Sequence, residues 1–119
     1  MEEARASLTR NQKINTDLKA RFDAEIRNHK IVLFMKGNAL FPQCGFSARA
    51  LQILQQHGQV HTVDVLADPE VRQGIKEYSN WPTIPQVFIN GKFVGGSDIL
   101  MELEERGELA DMVAGKTPA

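Results

Sequence analysis

The run Ile31-Val32-Leu33-Phe34-Met35 constrains this chain more than any other feature. It is uninterrupted, apolar and of strand length, so it predicts a central strand covered on both faces. Helices must then lie above and below it. Upstream, Leu18, Phe22 and Ile26 recur at four-residue steps and predict a helix with one apolar stripe, capped by Asn15 or Thr16. Downstream, a helix from about Phe46 to His57 presents Phe46, Ala50, Leu51 and Leu54, with Gly58 as its stop. Val60 to Val65, rich in valine and threonine, predicts a second strand. Asp68-Pro69 is a strong helix start, because the carboxylate caps and proline at the first helical position loses no hydrogen bond. Val71, Ile75 and Tyr78 give that helix an inner face, and Arg72 and Lys76 lie one turn apart on another.

Trp81-Pro82-Thr83-Ile84-Pro85 ends the helix and fixes an extended segment. Two β-prone runs, Gln86 to Ile89 and Lys92 to Val94, flank Asn90-Gly91, the strongest short hairpin signal. Gly95-Gly96 turns the chain, Ser97 or Asp98 caps a last helix ending near Gly107, and Leu109 to Val113 adds a short turn. The order is helix, strand, helix, strand, helix, strand, strand, helix. A right-handed β-α-β crossover gives parallel strands and the hairpin adds an antiparallel edge, which is the element order of an α/β, thioredoxin-like fold with a four-stranded mixed sheet. Residues 1–15 are expected to be a flexible lead-in, 16–113 the folded domain and 114–119 a tail.

At 119 residues the chain has room for one core. A formal net charge of -1 gives no general attraction to nucleic acid or to an anionic membrane, and no apolar run approaches the length of a membrane span. The acidic start Met1-Glu2-Glu3 lacks the apolar centre of a secretory signal. A cytoplasmic protein is the expectation, or an organellar one after removal of a transit peptide.

Cys44 is the single cysteine, so no intramolecular disulfide forms. It falls between a predicted strand and a predicted helix, where a helix N-terminus stabilises a thiolate. Taken alone, its immediate sequence fits a small buried hydrophobe better. The histidines give no shared ligand face: His57 and His61 are separated by Gly58 and the following strand, and His29 is alone, so no histidine metal site is expected.

Cys44-Gly45-Phe46-Ser47 resembles the signature of the monothiol glutaredoxins, the CGFS class. Phe34-Met35-Lys36-Gly37, Trp81-Pro82-Thr83-Ile84-Pro85-Gln86 and Gly95-Gly96-Ser97-Asp98-Ile99 match further family blocks in order. The resemblance implies glutathione binding. Lys36 and Arg72, with Lys76 as support, would hold the glycine carboxylate as a point charge and a fork. It also implies that Pro85 is cis and that the Thr83-Ile84 backbone pairs with the tripeptide like a strand edge. Ser97 and Asp98 would hold the γ-glutamyl end, through backbone N–H groups facing its carboxylate and Asp98 facing its ammonium.

Ser47 stands where a dithiol enzyme has a second cysteine, which excludes a two-cysteine cycle within one chain. Members of the class mainly carry a 2Fe–2S cluster, and such a cluster takes four thiolates. Two copies of Cys44 and two glutathione thiols supply them, which implies a homodimer with the cluster and a monomer without it. Gly45 would let backbone approach the cluster and Phe46 would shield it, or both are simple turn and core residues. BolA-like proteins and apo iron–sulfur recipients are the implied partners. The alternative is a glutathione-dependent oxidoreductase that deglutathionylates mixed disulfides through Cys44; an inert binding module is a third reading. Many members carry a cysteine where this chain has Ser97, so a disulfide switch does not carry over. Gly37-Asn38-Ala39-Leu40 also lacks a proline common there, which is expected to change loop stiffness.

Overall fold

The computed structural model describes residues 16–115. Among the described residues nine elements follow one another: α1 (Thr16–Asn28), β1 (Ile31–Met35), α2 (Gly45–Gln55), β2 (His61–Asp64), α3 (Pro69–Ser79), β3 (Gln86–Ile89), β4 (Lys92–Gly95), α4 (Ser97–Glu105) and α5 (Leu109–Val113). The strand order is β2-β1-β3-β4. β1 runs parallel to β2 and antiparallel to β3, and β3 runs antiparallel to β4. This is the mixed four-stranded, thioredoxin-like architecture expected from the element order.

Every residue of β1 is buried, because the strand contributes to two separate cores. Ile31, Leu33 and Met35 point to one face, where Ala50, Leu51 and Leu54 of α2, Leu100 and Leu103 of α4, and α5 cover them. Val32 and Phe34 point to the other, against Phe22 and Ile26 of α1, Val71 and Ile75 of α3, and Phe88. Alternation of side chains across a strand makes this division unavoidable once both faces are covered. On the second face Phe34 stands edge-on to Phe22 at 5.4 Å and to Phe88 at 5.7 Å between ring centres, the offset geometry aromatic quadrupoles favour.

The ends of the elements follow local chemistry. Asp68 Oδ1 accepts the Glu70 N–H at 3.0 Å with Pro69 opening α3, and Asn80, at φ 57°, closes that helix in the left-handed region. Asn90 and Gly91 take φ of 52° and 81°, the pair of positive values that a two-residue hairpin turn requires.

Some expectations are corrected. Leu109–Val113 is a short helix rather than a turn, anchored by the buried Leu109 and Val113. The cap of α4 is Gly96, not Ser97 or Asp98, and no side chain caps that helix. Phe46 is 64% exposed, so its place in the core is wrong: it stands in the first turn of α2, one turn ahead of the buried Ala50. His29 is not alone, since its ring stacks on His61 at 3.8 Å. The expected cap at Asn15, the lead-in over 1–15 and the last residues of the tail lie outside the described residues. Among the described residues no helix is long and apolar enough to cross a membrane.

Candidate functional site

The loop from β1 to α2 is tied down along its length. The Gly37 N–H donates to Asp64 Oδ1 at 3.0 Å and the Gln43 N–H to the Lys36 carbonyl at 2.9 Å. Asn38 Oδ1 accepts the N–H groups of Leu40 and Phe41, each at 2.9 Å. Asn38 thus stiffens by hydrogen bonding a loop that lacks the expected proline. Gly37 is required, since its φ is +88° and a Cβ there would lie 2.5 Å from the Phe41 carbonyl oxygen.

This loop delivers Cys44 to the N-cap position of α2 in extended conformation, φ -151° and ψ 134°. The residue is half-buried, which removes the reading of it as a core hydrophobe. Its thiol is held below the ordinary cysteine value, foremost by the Ser47 backbone N–H, against the opposing effect of desolvation. The Phe46 N–H, the Ser47 hydroxyl and the Lys36 charge act in the same direction as the first. None of these makes a full capping bond to the sulfur, so the stabilisation is that of a helix start facing an anion rather than of one strong contact.

Ser47 is fully buried. Its Oγ accepts the Lys36 N–H at 3.1 Å, which leaves the hydroxyl hydrogen for the sulfur. Ser47→Ala is therefore expected to raise the Cys44 pKa toward the ordinary value and to leave the Lys36 N–H without its acceptor, costing about 1–3 kcal/mol of stability. Alkylation rate against pH is the measurement, and a midpoint that stays put would count against this account. The sign of the linkage is fixed by the depressed folded pKa: the thiolate's contribution to stability is present above the unfolded pKa and is lost as pH falls through the folded one.

A cleft of about 290 Å³ is lined by Phe46, two residues after Cys44, with Trp81, Thr83, Ile84, Ser97 and Asp98, among others. The Ile84-Pro85 bond is cis, as the resemblance implied. Ile84 buries its side chain in the α1/α3 core, with 9% of the residue exposed. Gly96 brings the start of α4 against this segment, since a Cβ there would lie 3.3 Å from the Pro85 carbonyl oxygen.

Thr83, Ile84, Ser97 and Asp98 thus share one cleft, and Lys36 lies close enough to act on the Cys44 thiol. Arg72 and Lys76 line a different depression of about 270 Å³, with Val65, Leu66, Pro69 and Gln73. Sequence reasoning missed Gln86, which is fully buried at the start of β3 and bonded to the segment before Pro85. The signal was a lone amide opening an apolar strand. The histidines are engaged by the protein: His57 with Glu104 at 2.7 Å and His61 with Glu25 at 2.6 Å.

The profile of the glutaredoxin family matches residues 31–94, from the start of β1 into β4. An uncharacterized monothiol glutaredoxin (ycf64-like) of Synechocystis is 58% identical over 101 residues, covering 84% of this chain and 94% of its own. The chain belongs to the monothiol glutaredoxins. The solution structure of reduced apo GrxS14 from poplar is 47% identical with a TM-score of 0.75, over 82% of this chain and 91% of that one. A buckwheat glutaredoxin solved in complex with glutathione shares the fold at 22% identity, with a TM-score of 0.74 over 83% and 89% of the two chains. Other monothiol glutaredoxins among the relatives are named as mitochondrial or chloroplastic.

Proposed function

We propose that this glutaredoxin binds glutathione and carries a 2Fe–2S cluster as cargo, shared between two copies of the chain, in cluster assembly and transfer. The observation that carries the reading is the isolation of Cys44. It is accessible and biased toward thiolate, while Ser47, the position a second thiol would take, is buried and bonded to the Lys36 N–H. One chain supplies one thiolate of the four a cluster takes. Among the described residues no group of three or more His, Cys, Asp or Glu is placed to hold a metal. Two Cys44 thiolates and two glutathione thiols complete the donor set. A Cβ at Gly45 would meet nothing within 4 Å, so the backbone beside the sulfur has open space before it.

The glutathione assignment follows the cleft. The N–H groups at the start of α4 face the γ-glutamyl carboxylate and Asp98 its ammonium, while Thr83 and Ile84 offer backbone to the peptide. Lys36 and Arg72, supported by Lys76, take the glycine carboxylate at the other end, which requires the tripeptide to reach from the cleft to the Arg72 depression. The buckwheat protein's complex with glutathione supports this choice of ligand. A BolA-like protein and apo iron–sulfur recipients are the proposed partners. The lowered Cys44 pKa favours a second reading, in which Cys44 attacks a glutathionylated protein and a second glutathione resolves the mixed disulfide.

Anaerobic reconstitution of the full chain with ferrous iron, sulfide and glutathione separates the two. The expected result is a coloured dimer that bleaches to monomer when glutathione is removed. A colourless monomer with robust turnover on a glutathionylated substrate would overturn the carrier in favour of the oxidoreductase.

A further inference from the structure

We propose that Gln86 is a positioning residue for glutathione, acting through the backbone of the Thr83-Ile84 segment without touching the ligand. The inference rests on the reading of the cleft as a glutathione site. Gln86 is fully buried, and its Nε2 donates to the Trp81 carbonyl at 2.9 Å and the Thr83 carbonyl at 3.2 Å. An amide nitrogen has two hydrogens, and both are used. The carboxamide therefore pulls two carbonyls inward, one at each end of the Trp81-Pro82-Thr83 turn.

The consequence falls on the next residue. Among the described residues no hydrogen bond uses the N–H or C=O of Ile84. Its side chain is packed in the core, and the residue lines the cleft. With the Thr83 carbonyl held inward and the Ile84 side chain anchored in the core, the Ile84 N–H and C=O are the groups left to face a peptide.

Packing does not explain Gln86. Its Oε1 is buried with no partner, and an apolar side chain of the same length would avoid that desolvation. What an apolar side chain lacks is the pair of donors on the loop.

The test uses the full-length chain with Gln86→Met, which keeps length without donors, and Gln86→Glu. Gln86→Met is expected to fold, since the relief of the unpaired Oε1 is set against two carbonyls that lose their donor, to keep the Cys44 alkylation profile, and to bind glutathione roughly tenfold more weakly by calorimetry. In Gln86→Glu the buried carboxyl donates only when protonated, so its glutathione affinity relative to wild type at each pH is expected to recover as pH falls. A folded Gln86→Met with affinity within about twofold of wild type overturns the proposal. If the wild-type chain binds no glutathione, the reading of the cleft is what fails. Gln86 is then judged on the free protein: altered Thr83 and Ile84 amide resonances in Gln86→Met sustain its hold on the loop, and unaltered ones overturn it.

Discussion

Cys44→Ser is expected to leave a folded monomer that takes up no cluster. Cys44 makes no cap hydrogen bond and is half-buried, so its replacement by an isostere that is itself a good N-cap is expected to shift stability by less than about 1 kcal/mol. Reconstitution is an all-or-none matter by comparison. With the chain's single thiol gone, two copies and two glutathiones leave two of the four ligands unfilled. Visible absorbance, protein-bound iron and the dimer peak in anaerobic size exclusion should all fall to background together. A serine variant that still assembled a coloured dimer would sink the proposed ligand set.

The largest effect on stability is expected from Phe34→Ala. Phe34 is fully buried in β1 and meets Phe22 and Phe88 edge-on. Removing its ring empties the middle of the α1/α3 core, at a cost of about 3–5 kcal/mol. A domain of this size has a total stability of about 5–15 kcal/mol, so the variant stands near the edge of folding and its Tm should drop by roughly 10–20 °C. Denaturant unfolding with an unchanged slope is the check. A loss below about 1 kcal/mol would mean that the neighbours collapse into the space, contrary to the close packing described here.

Much of this architecture was legible in the sequence because it is written in local rules. The apolar run of β1, the Asp68-Pro69 start and the Asn90-Gly91 turn each specify their backbone within a few residues. What was not legible depends on contacts between distant segments. Gly96 rather than Ser97 caps α4 because the helix start packs against Pro85 and Trp81, where a Cβ would be tight. Phe46 shares a helical face with Ala50 but stands in the first turn of α2, ahead of the residues the core covers, and is exposed. Gln86 looked like one polar residue at a strand end, and only the return of the 81–85 segment over β3 shows what its amide holds. At the site, the resemblance named candidate residues but not their grouping, and the fold places Arg72 and Lys76 apart from the cleft of Ser97 and Asp98.

The two cores on either side of the sheet have a consequence for how the site is held. The wall that carries Cys44, Ser97 and Asp98 rests on α2 and α4, which pack on one face. The wall that carries Ile84 rests on the opposite face, with α3 and its Arg72 and Lys76. Glutathione would lie across a seam between two independently packed halves, joined chiefly by the strands they share. The gap between the halves sets the bite of the protein on its ligand, so sequence drift in either interior can retune that grip with every residue at the cleft left unchanged.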